Sequence, residues 1–549
     1  MVTVAQWTVI EIAFESAVAY ADPFWDVDLE VTFTGPSGQT QVVDAFWDGG
    51  NTWRVRFAPE AVGTWTWRSS CSDDACTNYR TDSGLHEQVG TFDCGPYDGE
   101  NPLYQRGVLR VSGDGHFLRW AEGEPFFWLA DTAWNGVLRA EDEDWERYLS
   151  TRADQGFTVI QFVSTQWRGA TEVLGAQRAF TGDSHITLNP GFFQARDAKV
   201  ATINEHGLVA APVVLWALWE SDPGQALPEE DAIRLARYIV ARWGAYHVVW
   251  FLGGDGNYTG ERAERWRRIG RAVFGEERHH RGDKHHRGDR HSRLVTMHPC
   301  GQTWVGQEFR GEPWFDFIGY QSGHGSSEEH LRWLVQGPPA SDWATEPVLP
   351  VINLEPNYEN HPSYHIARRF TDAEVRRAAY WSCLVAPTAG VSYGTNPIWV
   401  WAESAEVPEG HDRIGPVAAW TEGLDLPGIH SMTELHAFFE QLPWWTLRPA
   451  QEVLAEQPGE EAPEAFIAAA RSESDDLVIL YAPDNEAVSL VVDRLPPDPV
   501  ICWFDPHLGK WTDFCSLPDD GDRHHRIGVL LTPRRGDWLL VIKSGAHSQ

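Results

Sequence analysis

The sequence predicts a (β/α)8 barrel of the mixed α/β class, flanked by N-terminal and C-terminal β-sandwich domains. Three observations indicate this architecture. Apolar runs separated by turn residues occupy both ends of the chain, eight apolar runs alternate with helical patterns between them, and 549 residues exceed the size of one compact domain. We expect the domains to span residues 1–100, 101–450 and 455–549.

The first hundred residues have the pattern of an all-β domain. Short apolar runs recur about every ten residues between turn signals. A hairpin turn is indicated by Asp-Gly-Gly-Asn at 48–51. After it, Trp53, Val55 and Phe57 alternate with two arginines, and this period of two is typical of a half-buried strand. We interpret the aromatic residues here mainly as core.

The middle of the chain alternates apolar runs with helical patterns. Most runs are continuously apolar, as expected for strands that are buried on both faces. Eight such units within about 275 residues fit a closed barrel better than an open sheet. A doubly wound sheet is the alternative, but no glycine-rich phosphate-binding fingerprint follows the first strand. The predicted strands are 126–131, 157–163, 208–216, 248–255, 294–301, 315–321, 348–356 and 390–396.

Three further segments complete the organisation. Residues 273–292 contain HHRGD twice, and we interpret them as a solvated loop insertion rather than a metal-binding tract or an adhesion motif. Residues 455–475 are acidic and rich in Ala, Glu and Pro, which predicts a linker or loosely held segment. Apolar runs resume at about residue 475 and predict the second β-sandwich.

Composition excludes several functional classes. The net charge of −35 disfavours binding to nucleic acid and to anionic membranes, and it fits an uncharged substrate. No apolar run is long enough to span a membrane. The 29 tryptophans are expected both in domain cores and in a sugar-lined cleft.

Cysteine usage bears on metals and on the cellular compartment. The seven cysteines include no CxxC pair, so we expect neither a structural zinc nor another cofactor. Cys71 with Cys76, and Cys502 with Cys515, could pair in an oxidising compartment. Because no secretion signal is recognisable at the N-terminus, we expect a cytoplasmic protein with free thiols.

Two carboxylates stand where a barrel enzyme carries its chemistry, at the C-terminal ends of strands. Asp255 follows two glycines that leave room for a ligand, and Glu355 precedes Pro356, which ends the strand. Each alone could be a turn residue or an ion-pair partner. Strands four and seven are nearly opposite in an eight-stranded barrel, so this pair can flank one bond.

This arrangement suits the hydrolysis of a glycosidic bond, which needs an acid and a carboxylate. A separation of about 5–5.5 Å makes the carboxylate a nucleophile, about 6.5–9.5 Å lets it activate water, and more than roughly 12 Å would exclude the chemistry. No zinc-ligand set and no GxSxG nucleophile elbow is present. The candidate substrate-binding residues near the strand ends are Asp131, Trp134, Gln161, Trp167, Trp216, Asn257, His298, Tyr320, Tyr358 and Tyr393.

The segments EPFFWLADTAWNG, DQGFTVIQFV, VVWFLGGDGN and LEPNYE together resemble the apiosidase-like family of (β/α)8 glycoside hydrolases. The domains before and after the barrel are similar to small β-sandwiches that often accompany it. The resemblance covers nearly the whole chain and is weakest at 273–292 and in the last hundred residues. It implies a retaining mechanism with Asp255 as acid/base and Glu355 as nucleophile.

The resemblance also implies roles for other residues and a class of substrate. Asp131, Trp134 and His298 would bind the cleaved sugar, and Tyr320 or Tyr358 would keep the nucleophile ionised. The expected substrate is a plant-derived oligosaccharide or glycoside. The family is named for removal of apiose from a plant pectin side chain, but members with a preceding sandwich can act on other sugars. A non-catalytic carbohydrate-binding protein and an inverting glycosidase remain the alternatives.

Overall fold

The computed structural model describes residues 2–73, 82–171, 173–175, 177–275, 277–280, 283–286, 293–512 and 527–545. Its centre is a barrel of eight parallel strands, one at each of the eight predicted positions. The strands are β1 (Trp128–Thr132), β2 (Val159–Val163), β3 (Val209–Trp216), β4 (Trp250–Gly256), β5 (Val295–Pro299), β6 (Ile318–Gln321), β7 (Val351–Glu355) and β8 (Gly390–Tyr393).

The pairing of β1 identifies the fold class. It forms parallel ladders with β2 on one side and with β8 on the other, so the first and last strands of the barrel are neighbours. A doubly wound sheet does not join its first and last strands in this way. The predicted (β/α)8 barrel is therefore confirmed, together with the β-rich regions on either side of it.

A helix follows each barrel strand. The longer helices begin with favourable terminal residues, such as the capping box of Thr371 and Glu374 on the seventh. The eight helices are α1 (Asp142–Asp154), α2 (Pro190–Glu205), α3 (Glu229–Trp243), α4 (Glu261–Phe274), α5 (Gly306–Phe309), α6 (Glu328–Gln336), α7 (Asp372–Leu384) and α8 (Pro427–Glu440). Short helices also occur at Pro23–Asp26, Pro102–Arg106, Gly136–Arg139, Pro223–Ala226, Pro338–Ser341 and Asn396–Val400.

One seam of the barrel, between β5 and β6, has no regular ladder although both strands are fully described. A side chain replaces part of it. The Thr296 hydroxyl donates to the Phe317 carbonyl at 2.6 Å and accepts from the Gly319 amide at 3.0 Å. The barrel is thus nearly closed, with single hydrogen bonds holding its last junction.

The N-terminal region contains two sheets that enclose an aromatic core, including Phe33, Trp53 and Phe57. The alternation after the predicted hairpin turn is present, but Arg56 is buried rather than solvated, because it faces the barrel. Its guanidinium donates to Asp197 on α2 at 2.6 Å. One sheet contains Val2–Ala5, Val89–Gly95, Gly63–Asp73, Val27–Thr34 and Thr40–Asp44, the other Ile10–Glu15, Thr52–Phe57 and Phe46–Trp47, and a third small sheet (Leu109–Val111, Leu118–Trp120, Pro125–Phe126) leads into the barrel.

The C-terminal region corrects one expectation. Within the predicted linker at 455–475, Ala468–Ser472 is a largely buried strand, and Trp381 of α7 donates to the nearby Phe466 carbonyl at 2.9 Å. Small alanine side chains let this strand lie in the core, which composition alone did not reveal. Its sheet contains Leu447–Pro449, Ala468–Ser472, Leu477–Ala482, Trp538–Ser544, Pro499–Asp505 and Lys510–Trp511, and a second ladder joins Ala487–Val491 to Ile527–Leu531.

Three remaining predictions concern the HHRGD repeat, the candidate disulfides and membrane-spanning segments. The segment with the HHRGD repeat forms an antiparallel hairpin of Glu277–His280 and Asp283–His286, whereas 287–292 lie outside the described residues. Cys76 and Cys515, the candidate disulfide partners, also lie outside them. Among the residues that are described, no helix combines the length and the apolar character required to cross a membrane.

Candidate active site

Asp255 and Glu355 meet at the C-terminal mouth of the barrel, with His298 of β5 beside them. One side-chain oxygen of each carboxylate and one ring nitrogen of the histidine lie within 4.8 Å of one another. The carboxylate side chains are only 16% and 10% exposed. The two candidate catalytic residues therefore share one largely buried pocket.

The glycines before Asp255 allow its unusual backbone. A Cβ atom on Gly253 would lie 2.5 Å from the Tyr258 hydroxyl, and one on Gly254 would lie 2.7 Å from the Trp216 ring. Asp255 itself has φ +46°, in the left-handed region that few residues other than glycine, Asn and Asp adopt. Such conformations concentrate at functional sites, where the surrounding structure enforces them.

Asp255 has one strong hydrogen bond and one distant cation. Gln321 of β6 donates through Nε2 to Asp255 Oδ1 at 2.5 Å. Arg168, in the loop after β2, places Nη2 3.5 Å from Oδ2. Burial and the nearby charge of Glu355 nevertheless raise the pKa of Asp255 to about 7, because both disfavour its charged form.

Glu355 accepts a hydrogen bond from His324, three residues beyond the end of β6. The Tyr358 amide donates to Nδ1 of His324 at 3.2 Å, so this nitrogen is the acceptor and Nε2 carries the proton. Nε2 then donates to Glu355 Oε1 at 3.0 Å. Burial lowers the pKa of His324 to about 3, so it is a neutral donor. Burial also raises the pKa of Glu355 to about 7, an effect that the adjacent Tyr358 hydroxyl moderates.

His298 presents a second imidazole N–H to the same carboxylate. Gln321 Nε2 donates to His298 Nδ1 at 3.1 Å, which leaves the proton on Nε2. That nitrogen is 3.6 Å from Glu355 Oε2, and neither atom has a hydrogen-bond partner among the described residues. Burial lowers the pKa of His298 to about 3 and keeps it neutral.

Four predicted aromatic residues line the pocket. The ring of Trp134 is 5.0 Å from that of His298 and 5.3 Å from that of Trp216. The rings of Trp216 and Trp167 are 4.3 Å apart. Tyr358 lies 4.6 Å from the His324 ring. The structure thus brings these residues and His298 together around the carboxylates.

Two predicted polar residues occupy the margins of the site. Gln161 lies inside the barrel, where it donates to Thr132 at 3.0 Å and to the Leu354 carbonyl at 3.2 Å. These bonds make it part of the pocket floor. Asn257 is exposed at the rim and accepts two hydrogen bonds from Thr259 within its own turn.

Three predicted site residues face away from the pocket, because alternate side chains of a barrel strand point outward. Asp131 accepts hydrogen bonds from Arg152 and Tyr148 of α1 at 2.5 and 2.8 Å. Tyr320 packs 6.0 Å from the ring of Trp333 on α6 and does not reach the nucleophile. The Tyr393 hydroxyl donates to Glu359 at 2.6 Å.

The sequence did not indicate Arg168 or His324, and Gln321, although it ends a predicted strand, was not among the candidate substrate-binding residues. Gln321 directly follows Tyr320, so correct parity of β6 would have selected it instead of the tyrosine. His324 and Arg168 lie in loops, where neither strand period nor helix period predicts direction. Their only sequence signal is proximity to a strand end.

The cluster of Asp255, His298 and Glu355 could also hold a metal ion. Two carboxylates and an imidazole are suitable ligands, and their atoms are close enough to share one ion. In the tautomer described above, however, His298 turns a protonated nitrogen toward Glu355 and would have to exchange that proton to bind a metal.

Models of three known domain families match successive parts of the chain. The model of the apiosidase-like catalytic domain matches residues 112–446. A domain of unknown function, DUF5060, matches residues 3–72, and a collagen-binding-like domain of a collagenase matches residues 448–543. A comparison with curated proteins found no match.

Solved structures share the fold. A protein described as a glycoside hydrolase is 23% identical, with 81% of this chain and 98% of that chain covered and a TM-score of 0.68. A glycoside hydrolase family 5 protein from Bacteroides vulgatus ATCC 8482 is 22% identical, with 81% and 95% covered and a TM-score of 0.68. A second protein of that strain is 18% identical, with 99% and 100% covered and a TM-score of 0.69.

The catalytic-domain match spans more than half of the chain and includes the barrel strands that carry both carboxylates. The protein belongs to the apiosidase-like family and is a glycoside hydrolase.

Proposed function

We propose that the protein is a retaining glycoside hydrolase that cleaves a plant-derived oligosaccharide or glycoside. The observation that carries this proposal is the separation of the Asp255 and Glu355 oxygens, which is within 4.8 Å. Retaining pairs lie about 5–5.5 Å apart, whereas inverting pairs lie about 6.5–9.5 Å apart. A gap this narrow favours the retaining class over the inverting class.

In the first half of the reaction, Asp255 protonates the glycosidic oxygen while Glu355 attacks the anomeric carbon. The bond to the leaving group breaks, and a covalent glycosyl-Glu355 ester forms. In the second half, Asp255 removes a proton from water as that water attacks the anomeric carbon. The ester bond breaks, the sugar leaves with its original configuration, and Asp255 is again protonated.

The surroundings of the two carboxylates suit these roles. Glu355 has neutral imidazole N–H groups directed at both oxygens, which stabilise its ionised form. Among the described residues, no lysine or arginine forms an ion pair with it, so its charge remains available for attack. Asp255 has a pKa raised to about 7, as an acid that must hold a proton at neutral pH requires.

The proposed substrate class follows from the family and the charge. The family is named for an enzyme that acts on a plant sugar, and the net charge of −35 favours an uncharged glycoside. A panel of chromogenic glycosides that includes furanosides will identify the sugar. Proton NMR of the first anomer released will then distinguish retention from inversion, and release of the opposite anomer would refute the proposed mechanism.

Single substitutions test the two roles. Glu355→Gln and Asp255→Asn should each lower kcat by about 10²–10⁴-fold without loss of fold, because each removes a reacting group. A fluorinated glycoside should form a covalent adduct on Glu355 that mass spectrometry can locate. Azide should restore turnover to Asp255→Ala and give a glycosyl azide of retained configuration, because it attacks the glycosyl-Glu355 ester in place of water.

The same assays distinguish the proposed hydrolase from the alternative, a non-catalytic carbohydrate-binding protein. A chain that binds sugar but turns over no member of the panel would be a carbohydrate-binding protein. Near-normal turnover by both Asp255→Asn and Glu355→Gln would instead show that other residues carry the reaction. Circular dichroism of each variant excludes unfolding as the cause of any loss.

A further inference from the structure

Two tryptophans, Trp167 and Trp219, flank Arg168 beside Asp255 at the mouth of the barrel, and we call this pair the aromatic platform. Asp222, which is fully buried, accepts a hydrogen bond from the Arg168 amide at 3.0 Å and another from the Trp219 amide at 2.7 Å. One carboxylate therefore ties the loop after β2 to the loop after β3. This shared anchor holds the main chain at Arg168 and at Trp219.

Arg168 connects the platform to the catalytic acid. Its guanidinium carbon lies 5.4 Å from the Trp219 ring and 5.6 Å from the Trp167 ring, and its Nη2 is 3.5 Å from Asp255 Oδ2. The Arg168 side chain is only 9% exposed, yet its Nε has no hydrogen-bond partner among the described residues. Nε of Arg168 is therefore a buried donor without an acceptor among the described residues.

Trp219 is anchored through its main chain, but its side chain is half exposed. Its exposed fraction is 50%, which is high for the largest apolar side chain. The Arg168 guanidinium contacts both the Trp219 ring and the Asp255 carboxyl group. Because Asp255 must protonate the leaving oxygen, the leaving group has to lie on this side of the scissile bond.

Exposed apolar side chains concentrate around the same mouth. Within the described part of residues 101–450, every exposed large apolar side chain lies in a loop that follows the C-terminal end of a barrel strand. In this described part, the other faces of the barrel present none of this kind. The residues are Leu174, Leu218, Trp219, Tyr364, Ile366 and Val407. Clustered apolar exposure of this type marks a binding surface.

The structure also leaves space beside Arg168. A cavity of about 260 Å³ lies between the loops after β2 and β3, and its lining combines apolar residues such as Trp167 and Phe180 with polar ones such as Arg168, Arg178 and Asp183. Pockets for small molecules combine apolar walls with a few oriented polar groups. The cavity shares Arg168 with the contact to Trp219 and Asp255, so there is volume on the other side of the guanidinium that flanks the acid.

We propose that the leaving-group site binds a flat, uncharged, apolar aglycone that stacks on Trp219, so that the preferred substrates are arylalkyl or aryl glycosides rather than oligosaccharides. This inference rests on the proposed function, which makes Asp255 the acid. Hydrolysis then releases the aglycone as an alcohol or phenol that carries the proton from Asp255.

The test compares leaving groups on one sugar, chosen from the chromogenic panel. The 2-naphthylmethyl and methyl glycosides both release an alcohol, so their comparison isolates binding of the aromatic group. The wild-type protein should prefer the naphthylmethyl glycoside in kcat/KM. Trp219→Ala should reduce this preference by about tenfold, as expected when aromatic stacking is lost. Leu531→Ala, which truncates a 74% exposed side chain of the C-terminal region, should leave the preference unchanged.

Several results would overturn the inference. They are a wild-type protein without preference for the naphthylmethyl glycoside, a stronger preference for a disaccharide of the same sugar, and a preference that Trp219→Ala does not alter. Each of these leaves retaining hydrolysis intact, because the anomer assay reports on it separately.

A binding measurement tests the aglycone site independently of the proposed hydrolase activity. If no glycoside is cleaved, calorimetric titration of the wild-type protein with 2-naphthalenemethanol still tests the site. Saturable binding that Trp219→Ala weakens by about tenfold would support the aglycone site without the hydrolase. Lack of such binding would overturn it.

Discussion

Asp255 and Glu355 titrate as a pair because their oxygens lie within 4.8 Å. Loss of the first proton creates a charge that opposes loss of the second, and burial raises the pKa of each carboxyl to about 7. Near neutral pH, the pair therefore holds a single proton. In the proposed reaction this proton belongs on Asp255.

Arg168 affects the pKa values of both carboxyls, so we expect it to influence the pH range of activity. It lowers the pKa of both Asp255 and Glu355, because a cation favours their charged forms. The acid limb of kcat/KM reports ionisation of Glu355, and the basic limb reports deprotonation of Asp255. In Arg168→Gln both pKa values rise, so both limbs should move to higher pH in a pH–rate profile. Arg262→Gln on the exposed face of α4 serves as the control, and a movement of either limb to lower pH would contradict the assignment.

His324 keeps Glu355 ionised through its Nε2–H. His324→Ala removes this donor and should lower kcat/KM by about 10- to 100-fold, which corresponds to one hydrogen bond to a charged group. The pKa of Glu355 should rise, so the acid limb should shift to higher pH. His324→Gln retains an N–H donor and should recover part of both effects. A loss of rate with an unchanged acid limb would indicate a purely structural role.

At the scale of the element, strand parity decides which residues reach the pocket. Asp131 illustrates this, since it pairs with Arg152 of α1 while both side chains are fully buried. Asp131→Ala leaves a buried unpaired cation and should destabilise the protein by about 3–5 kcal/mol. Thermal and urea unfolding will measure this effect.

KM separates the structural role of Asp131 from the binding role that the sequence suggested. In the fraction that remains folded, Asp131→Ala should leave KM nearly unchanged. A large rise in KM with little loss of stability would restore the sugar-binding role. Asp142→Ala, in the exposed first turn of the same helix, provides a matched control for stability.

The sequence predicted all eight barrel strands, because continuous apolar runs are a strong local signal. It also predicted the two carboxylates, because the mouth of a barrel lies at strand ends. It did not separate inward from outward residues, so Tyr320 was chosen where Gln321 faces the pocket. Loop residues such as Arg168 and His324 depend on tertiary contacts that leave no periodic trace.

At the scale of the whole molecule, buried ion pairs attach the flanking regions to the barrel. Arg56 of the N-terminal region reaches Asp197 on α2, and Arg376 on α7 holds Asp537 of the C-terminal region at 2.6 and 2.8 Å. Such long-range pairs leave no local sequence signal, so the contacts between the flanking regions and the barrel were not predictable.

The Arg376–Asp537 pair should contribute measurably to stability. Its side chains are only 5% and 14% exposed, so breaking it leaves a poorly solvated charge. A double-mutant cycle with Arg376→Met and Asp537→Ala should give a coupling energy of about 1–3 kcal/mol in urea unfolding. The exposed Arg471–Asp475 pair, whose aspartate is 72% exposed, should give less than about 1 kcal/mol in the same experiment. Equal coupling in the two pairs would show that burial is not decisive.

The main-chain amide of Tyr358 contacts His324, and through His324 it affects the hydrogen bonding of Glu355. By occupying Nδ1 of His324, it commits that ring to Oε1 of Glu355 and leaves Oε2 without a hydrogen bond among the described residues. In the proposed reaction, the two oxygens are therefore not equivalent, and Oε2 is the one that forms the ester. A main-chain group thus determines which nitrogen of His324 donates to Glu355.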